Sequence, residues 1–401
     1  MSKLTELAAR CIRCGFCIES CPTFQLTGDE SQSPRGRISL ARQAEESGVW
    51  DDATRSALDT CLGCRGCETA CPSGVQYGEI IELARAAMPR QRRLEEPFLA
   101  SLTNPAAARA QFALGGLIPG GRLPGVVSRM LTGSLPEAEI PRLPDPAEFP
   151  LLPSGSLPPV VGEVYLLEGC VMRVLYPDVH QALRRLLRRI GFTVREVRQG
   201  CCGALHAHSG FLDEAESRAQ ALGEAFPDEL PLLVDSAGCG STIKGYGTVV
   251  GKGLEGLAAR TWDATEFLLA NGLAPILAES PGLPGVRIAY HEACHLVHGQ
   301  KVSAEPKTLL ASIPGVELAP LAEADLCCGS AGTYNVFHPQ YARRLLDRKW
   351  ANIAATGAQI VAMGNPGCQS WIAQAARENG SAIRVAHTLS VLESSFSGLT
   401  V

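Results

Sequence analysis

The chain has 401 residues, of which 19% are charged, and a formal net charge of −5 at pH 7. One hydrophobic core rarely serves so long a chain, so we expect at least two domains. The small net charge gives no long-range attraction to a polyanion, which argues against a nucleic-acid partner. The opening residues, MSKLTELAARCIRC, hold no apolar run typical of a signal peptide, and no stretch reaches the about 20 apolar residues of a membrane-spanning helix. A cytoplasmic protein is predicted.

Sixteen cysteines fall into two groups. Eight lie between Cys11 and Cys71, and eight lie between Cys170 and Cys368. Because disulfides are rare in the cytoplasm, this abundance indicates metal or redox chemistry. The region between the groups is crowded with proline and glycine, which predicts a linker over residues 97–160 with one short helix around Ala106 to Leu114.

Two ferredoxin-type motifs contain the first group of cysteines. They run from Cys11 to Pro22 and from Cys61 to Pro72, and both match C-x2-C-x2-C-x3-C-P. This is the bacterial run for a pair of [4Fe–4S] clusters, in which the fourth cysteine ligates the other cluster. Zinc is the alternative, but zinc sites use four ligands each and rarely carry this run. The predicted ligands are Cys11, Cys14, Cys17 and Cys71 for cluster 1, and Cys61, Cys64, Cys67 and Cys21 for cluster 2.

The segment between the two motifs is longer than the connection of a small ferredoxin. It contains ISLARQAEESG, which has a helical pattern. We therefore expect helices to pack around the clusters, so that residues 1–96 form an α-helical ferredoxin domain. Because each cluster carries one electron at a time, this domain is predicted to transfer electrons.

The second half of the chain contains an internal duplication. Its cysteines pair at separations of 124, 126, 126 and 129 residues. Each copy opens with a β-type run, VYLLEGC or RIAYHEAC, continues with a helical pattern and then reaches Cys-Cys-Gly. A last apolar strand in each copy leads to Gly-Cys, so this cysteine lies just beyond the carboxyl end of a strand, where open α/β sheets build sites. Two tandem α/β cysteine-rich repeats are predicted, over residues 161–275 and 284–395, in a multidomain α+β protein.

The adjacent cysteines of each repeat allow three interpretations: buried apolar residues, a strained vicinal disulfide, or ligands of a metal or cluster. Their repetition together with cysteines before and after them favours ligation, because thiolates gathered at strand ends repel one another without a cation. A third iron–sulfur cluster and a zinc ion are both compatible with the pattern. The candidate ligands are Cys170, Cys201, Cys202 and Cys239 in the first repeat, and Cys294, Cys327, Cys328 and Cys368 in the second.

Four histidines lie near these cysteines. His291 and His295 flank Cys294, and His206 and His208 follow the first Cys-Cys-Gly. Such imidazoles either replace or tune a cluster ligand, or they are hydrogen-bonded loop histidines. The motifs indicate no flavin or nicotinamide site in this chain. Oxidation of an alcohol carbon releases two electrons, so the flavin that would split the pair is expected on a partner.

The whole chain resembles the iron–sulfur subunit of bacterial glycolate oxidase, a flavin-linked glycolate dehydrogenase. The stretches that carry the resemblance are CIRCGFCIESCPTFQLTGDE with PRGRI, CLGCRGCETACPSGVQY, LLEGC, GCCGA, SAGCG with KGYG, and LCCGSAGTYNVFHP. The resemblance implies two [4Fe–4S] clusters on the N-terminal cysteines and FAD-binding partner subunits that oxidise glycolate to glyoxylate. It also implies a membrane quinone as acceptor and a peripheral place on the inner face of the cytoplasmic membrane.

The repeats further resemble the cysteine-rich domain shared by heterodisulfide reductase and the third subunit of anaerobic glycerol-3-phosphate dehydrogenase. One difference argues against a disulfide-reducing site. Heterodisulfide reductase repeats end in C-x2-C, whereas Thr242 and Trp371 stand at the corresponding positions here. The alternative functions are a subunit of an anaerobic glycerol-3-phosphate or lactate dehydrogenase, a heterodisulfide-reductase-like thiol/disulfide enzyme, and a zinc-binding assembly platform.

Overall fold

The computed structural model describes residues 2–89, 95–118, 122, 138–144 and 156–397. Residues 2–89 form helices without strands, which confirms the predicted α-helical ferredoxin domain. The helices are α1 (Lys3–Ala8), α2 (Pro22–Thr27), α3 (Pro34–Ser47), α4 (Asp52–Asp59), α5 (Gly66–Thr69) and α6 (Tyr77–Ala87), with a 3₁₀ turn at Glu30–Gln32. Helices α2 and α3 each begin at a proline, and a left-handed glycine ends each of them.

Two more helices lie where the sequence predicts a linker, α7 (Glu95–Thr103) and α8 (Pro105–Gly116). Helix α8 includes the predicted short helix, whereas the sequence did not predict α7. The side chain of Asn104 accepts hydrogen bonds from the backbone of the first turn of α8, and Pro105 begins that turn. Part of the predicted linker is therefore helical. Its residues 119–121, 123–137 and 145–155 lie outside the described residues.

The first cysteine-rich repeat is a parallel four-stranded sheet in the order β2-β1-β3-β4. Its strands are β1 (Gly162–Leu167), β2 (Phe192–Val194), β3 (Leu232–Val234) and β4 (Thr261–Asp263). Its helices are α9 (Val171–Leu175), α10 (Pro177–Arg189), α11 (Ala204–His208), α12 (Leu212–Ala225), α13 (Ala237–Lys244), α14 (Glu255–Ala259), α15 (Ala264–Ala270) and α16 (Leu273–Ala278). Strand β1 is apolar at successive positions because Val164 and Leu166 pack into one core while Tyr165 and Leu167 pack into another.

The second repeat has the same topology, in the order β6-β5-β7-β8, and this confirms the duplication. Its strands are β5 (Val286–Tyr290), β6 (Val316–Ala319), β7 (Ile360–Met363) and β8 (Arg384–His387). Its helices are α17 (Ala304–Ala311), α18 (Tyr334–Phe337), α19 (Pro339–Ala355), α20 (Pro366–Glu378) and α21 (Thr388–Ser394), with a π-helical turn at His295–Gln300. Among the described residues, no helix has both the length and the apolar character needed to cross a bilayer.

The two repeats share one hydrophobic core. Leu183 and Leu186 of α10 belong to the same buried cluster as Leu389 and Leu392 of α21. At this interface Arg185 donates to Glu393, with 2.8 Å between Nε and Oε1. The repeats are thus packed as one body. We propose the division of the chain into residues 1–96, 97–160, 161–275 and 284–395 as its domain organisation.

Truncation of Leu186 tests the shared core. This side chain is 0% exposed, so Leu186→Ala should lower the free energy of unfolding by about 2–5 kcal/mol through lost burial and a residual cavity. Amide hydrogen exchange measured by mass spectrometry should then accelerate in both sheets. Leu114→Ala is the control, because Leu114 is 67% exposed. Acceleration confined to the first repeat would contradict a shared core.

Candidate iron–sulfur and cysteine-rich sites

The cysteines predicted for cluster 1 come together at the surface of the N-terminal domain, where they line one small cavity together with Cys67 of the other set: Cys11, Cys14, Cys17 and Cys71. Burial raises the pKa of the Cys17 thiol, and the neighbouring charges of Cys11 and Cys71 raise it further. Cys14 is exposed, and the adjacent side chains of Ile12 and Phe16 are 68% and 69% exposed. This cavity therefore opens beside an apolar surface.

The cysteines predicted for cluster 2 line a second, deeper cavity: Cys21, Cys61, Cys64 and Cys67. Burial raises the pKa of the Cys67 thiol, and the charges of Cys64, Cys61 and Cys21 add to this shift. Cys21 comes from the first motif, and Cys71 at the other cavity comes from the second. The structure thus places the fourth cysteine of each motif with the first three of the other.

A buried guanidinium lies beside the second cavity. Arg37 is only 1% exposed, and its Nε donates to the carbonyl oxygen of Ala57 at 2.6 Å. Its Nη2 donates to Thr23 Oγ1 at 2.9 Å and to Gln32 Oε1 at 2.8 Å, while Nη1 lies 3.8 Å from Cys21 Sγ. Among the described residues, no carboxylate forms an ion pair with Arg37. A buried cation without a counter-charge costs several kcal/mol, so this site fits an anionic group held by the cysteines.

Charge also couples Arg37 to the cysteine sulfurs. Burial alone would lower the pKa of Arg37, but the charges of Cys61 and Cys21 raise it. Conversely, burial opposes ionisation of the Cys61 thiol, while the cation of Arg37 lowers its pKa. Arg37 lies within the stretch PRGRI, and only the fold reveals its burial against sulfur.

The loop of the second motif docks on the second cysteine-rich repeat. His295 Nε2 lies 2.9 Å from the carbonyl oxygen of Gly63, and the hydroxyl of Tyr334 donates to the carbonyl oxygen of Thr60 at 3.0 Å. Burial raises the pKa of the Cys64 thiol, and the charge of Cys294 raises it further. The second cavity is therefore next to the second set of repeat cysteines.

Each repeat gathers its cysteines at the carboxyl ends of its strands. Cys170 and Cys239 follow the neighbouring strands β1 and β3, and Cys294 and Cys368 follow β5 and β7. The chain turns to opposite sides of the sheet after these strands, which makes each pair a topological switch point where α/β sheets bind ligands. The Cys-Cys pairs follow β2 and β6 and reach the same edges.

The sulfurs within each set interact with one another. In the first set, the interactions with Cys170 and Cys202 lower the pKa of the Cys201 thiol, and the interaction with Cys201 raises that of Cys170. Cys202 also interacts with Cys239. All four candidate ligands of the first repeat are therefore brought together.

The second set has the same arrangement. Cys328 interacts with Cys327 and Cys368, and these interactions lower the pKa of the Cys328 thiol while raising that of its two partners. Cys327 also interacts with Cys294. The four candidate ligands of the second repeat thus form a second connected set.

Both sets open on one large cavity of about 930 Å³ between the repeats and the N-terminal domain. Its walls are mainly apolar and include Phe112, Phe211, Phe337 and Trp371. The repeat cysteines that line it are Cys170, Cys201, Cys202, Cys239, Cys294, Cys327 and Cys368. A single chamber therefore connects the two switch points.

The four histidines singled out by the sequence have different surroundings. His208 Nδ1 lies 2.8 Å from Glu82 Oε1, and its ring packs edge-on against His295 at 5.0 Å between centroids. His206 is fully buried, and neither ring nitrogen has a hydrogen-bond partner among the described residues. His291 is also fully buried and lies beside Cys328.

Comparison with known proteins agrees with this architecture. The 4Fe-4S dicluster domain model matches residues 7–75, and the Cysteine-rich domain model matches residues 164–244 and 288–373. The glycolate oxidase iron–sulfur subunit of Escherichia coli (strain K12) is 33% identical over 96% of this chain and 93% of its own. This chain belongs to the family of glycolate oxidase iron–sulfur subunits.

Two further relatives are similar over different shares of the chain. The probable glycolate oxidase iron–sulfur subunit of Bacillus subtilis (strain 168) is 31% identical over 89% of this chain and 86% of its own. Lactate utilization protein A of Shouchella clausii is 30% identical over 58% of this chain and 98% of its own. The family membership confirms the predicted iron–sulfur subunit, with two [4Fe–4S] clusters, duplicated cysteine-rich repeats and a role in electron transfer.

Cys21 provides a test of the exchange between motifs. Cys21→Ser should weaken the electron-paramagnetic signal of cluster 2 and spare that of cluster 1, although Cys21 belongs to the first motif. Cys71→Ser is the mirror variant and should weaken the signal of cluster 1. Circular dichroism of both variants reports whether the helices remain folded. If each variant instead lost the cluster nearest to it in sequence, the exchange would be refuted.

Proposed function

We propose that this chain is the electron-relay subunit of a flavin-linked glycolate dehydrogenase complex. In this role it takes single electrons from an FAD-binding flavoprotein partner and passes them toward a membrane quinone. The observation that carries the proposal is the pair of ferredoxin-type cysteine sets, one at an exposed surface and one docked against the second cysteine-rich repeat. The match to glycolate oxidase subunits along nearly the whole chain supports the substrate.

The partner follows from electron counting. Oxidation of glycolate to glyoxylate releases two electrons together, whereas an iron–sulfur cluster accepts one, so a flavin normally separates the pair. The substrate-oxidising step accordingly belongs to the flavoprotein. We place the complex at the inner face of the cytoplasmic membrane as a peripheral assembly, where quinone is available.

The proposed ligands are those that the motifs predict. Cluster 1 would be held by Cys11, Cys14, Cys17 and Cys71, and cluster 2 by Cys21, Cys61, Cys64 and Cys67. When bound, these clusters supply one-electron redox chemistry. The chain orients them by exchanging the fourth cysteines, buries cluster 2 against Arg37, and leaves Cys14 exposed beside Ile12 and Phe16.

We also propose a metal centre in the cysteine-rich repeats, either an iron–sulfur cluster or zinc. Two sets of four sulfurs at switch points, opening on one chamber, support it. The sets are Cys170, Cys201, Cys202 and Cys239, and Cys294, Cys327, Cys328 and Cys368. Iron and zinc analysis of the purified chain separates the two metals, because the two N-terminal clusters account for about eight irons.

A lactate-oxidising complex is the second candidate, because lactate utilization protein A matches more than half of this chain. The test is to co-express the chain with candidate FAD-binding flavoprotein subunits and to measure quinone reduction. Glycolate, lactate and glycerol 3-phosphate are supplied separately. Glycolate should be oxidised fastest. Faster oxidation of lactate or glycerol 3-phosphate would overturn the proposed substrate.

Loss of one cluster ligand should stop quinone reduction without stopping electron transfer to the flavin. In the intact complex, Cys64→Ser or Cys14→Ser should abolish glycolate-dependent quinone reduction. Reduction of a dye that takes electrons at the flavin should persist, because the clusters lie downstream. Ser73→Ala, in the turn after Cys71, is the control and should retain both activities. Normal quinone reduction by the cysteine variants would rule out the relay.

Arg37 should set the reduction potential of cluster 2, because a buried cation stabilises the more negative, reduced state. Arg37→Gln should lower that potential by about 59 mV, which is a tenfold change in the ratio of reduced to oxidised cluster for one electron. Gln32→Glu should also lower it, since a carboxylate would then face the same guanidinium. Redox titration followed by electron paramagnetic resonance measures the shift.

The matched control for these variants is Arg35→Gln. Arg35 pairs with Glu30 at 2.6 Å beside the first motif, so its loss should leave cluster 2 unchanged. An unchanged potential of cluster 2 in both Arg37→Gln and Gln32→Glu would contradict the electrostatic role of Arg37.

A further inference from the structure

The two sets of repeat cysteines differ at one position. Three residues before Cys294 stands His291, whereas three residues before Cys170 stands Leu167. Leu167 is the last residue of the first strand of its sheet, and His291 directly follows the first strand of the other sheet. The duplication therefore leaves the second set with a nitrogen donor that the first set lacks at this place.

The surroundings of His291 fix which ring nitrogen is available. Its side chain is 0% exposed, and Nδ1 lies 3.2 Å from the carbonyl oxygen of Ala324. A carbonyl only accepts, so Nδ1 carries the hydrogen and donates it, which leaves the lone pair on Nε2. Nε2 has no nitrogen or oxygen partner among the described residues. This is the pattern of a metal-bound histidine, whose second ring nitrogen usually donates to a carbonyl or carboxylate.

Two sulfurs complete a compact donor group. A ring nitrogen of His291 and the Sγ atoms of Cys328 and Cys368 all lie within 4.8 Å of one another. Zinc bonds are about 2.3 Å to sulfur and about 2.0–2.1 Å to nitrogen, which puts the donors of one tetrahedral ion roughly 3.5–4 Å apart. The group would need to contract by only about 1 Å. All three residues are buried, so a bound ion would be shielded from water.

We propose that the second repeat holds its metal through a mixed nitrogen and sulfur site, with His291 Nε2, Cys328 Sγ and Cys368 Sγ as ligands. The ion is a thiophilic cation, either zinc or an iron of an iron–sulfur centre. This inference deepens the metal centre proposed above for the repeats and rests on it. On a tetrahedral ion one position remains, and the candidates for it are the other two cysteines of the set, Cys327 and Cys294.

The experiment uses the full-length chain and three variants. His291→Ala removes the nitrogen donor, His291→Cys replaces it with sulfur, and His206→Ala is the control because His206 is an equally buried histidine beside the first set. Iron and zinc per chain are measured before and after incubation with a chelator. Imidazole ligation is read from zinc-edge X-ray absorption, or from nitrogen hyperfine coupling if the metal is iron.

The wild-type chain should hold metal beyond the about eight irons of clusters 1 and 2 and should show imidazole at that metal. His291→Ala should lose it to the chelator at least about tenfold more readily. His291→Cys should keep the metal and lose the nitrogen signal, and His206→Ala should match the wild type. If His291→Ala does not fold, the cysteine variant and the wild-type spectrum still decide.

Unchanged metal retention and an unchanged nitrogen signal in the His291 variants would overturn the proposal. A wild-type chain with eight irons and no further metal would overturn it too. This test does not depend on glycolate oxidation, because it measures bound metal and the ligands of that metal. The iron of clusters 1 and 2, measured in the same samples, reports on the N-terminal domain separately. Loss of quinone reduction with an intact mixed site would count against the relay alone.

Discussion

A single buried positive charge ties the N-terminal domain to its cofactors. The guanidinium of Arg37 bonds to four residues from three segments, at Thr23, Gln32, Ala57 and Thr60. It therefore connects the first motif to the segment that precedes the second motif. These four acceptors are neutral, and the charges of the sulfurs of Cys61 and Cys21 raise the pKa of Arg37. Folding of this domain and insertion of cluster 2 are consequently linked, as they are for other metal-dependent domains.

The cysteine-rich half holds two sets of thiols in fixed positions relative to each other. Each sheet gathers its own set at a switch point, and neither sheet alone determines where the other set lies. The core shared by α10 and α21 supplies that relation, because leucines of both helices are buried in one cluster. The two sets then face a common chamber, and Cys294 lies beside Cys64 of the ferredoxin half.

Much of this arrangement is encoded locally and was predictable. The spacing of the ferredoxin motifs predicts which thiols meet, since two-residue gaps and a following helix leave few geometries. Constant offsets between cysteines reveal the duplication, and apolar runs ending in Gly-Cys place sulfurs at strand ends. These features depend on residues that are near one another in the sequence, so they can be predicted from the sequence alone.

The remaining features depend on contacts between distant segments. Arginine is usually exposed, so nothing in PRGRI indicates that Arg37 is buried. His295 was a candidate ligand or tuning residue, yet it lies against the backbone of Gly63, 232 residues away. Its neighbour His291 has a similar sequence context but faces sulfur. Pattern alone cannot distinguish these two histidines, because their different roles arise only when the ferredoxin half docks on the second repeat.

The contact between Tyr334 and Thr60 has a consequence for how the protein is made. The two residues are separated by 274 positions, so at a synthesis rate of about 5–20 residues per second the hydroxyl is made roughly 14–55 s after the carbonyl that it will bind. During this interval the loop carrying Cys61, Cys64 and Cys67 has no second repeat to cover it. Iron and sulfide can therefore reach that loop before the second repeat folds over it.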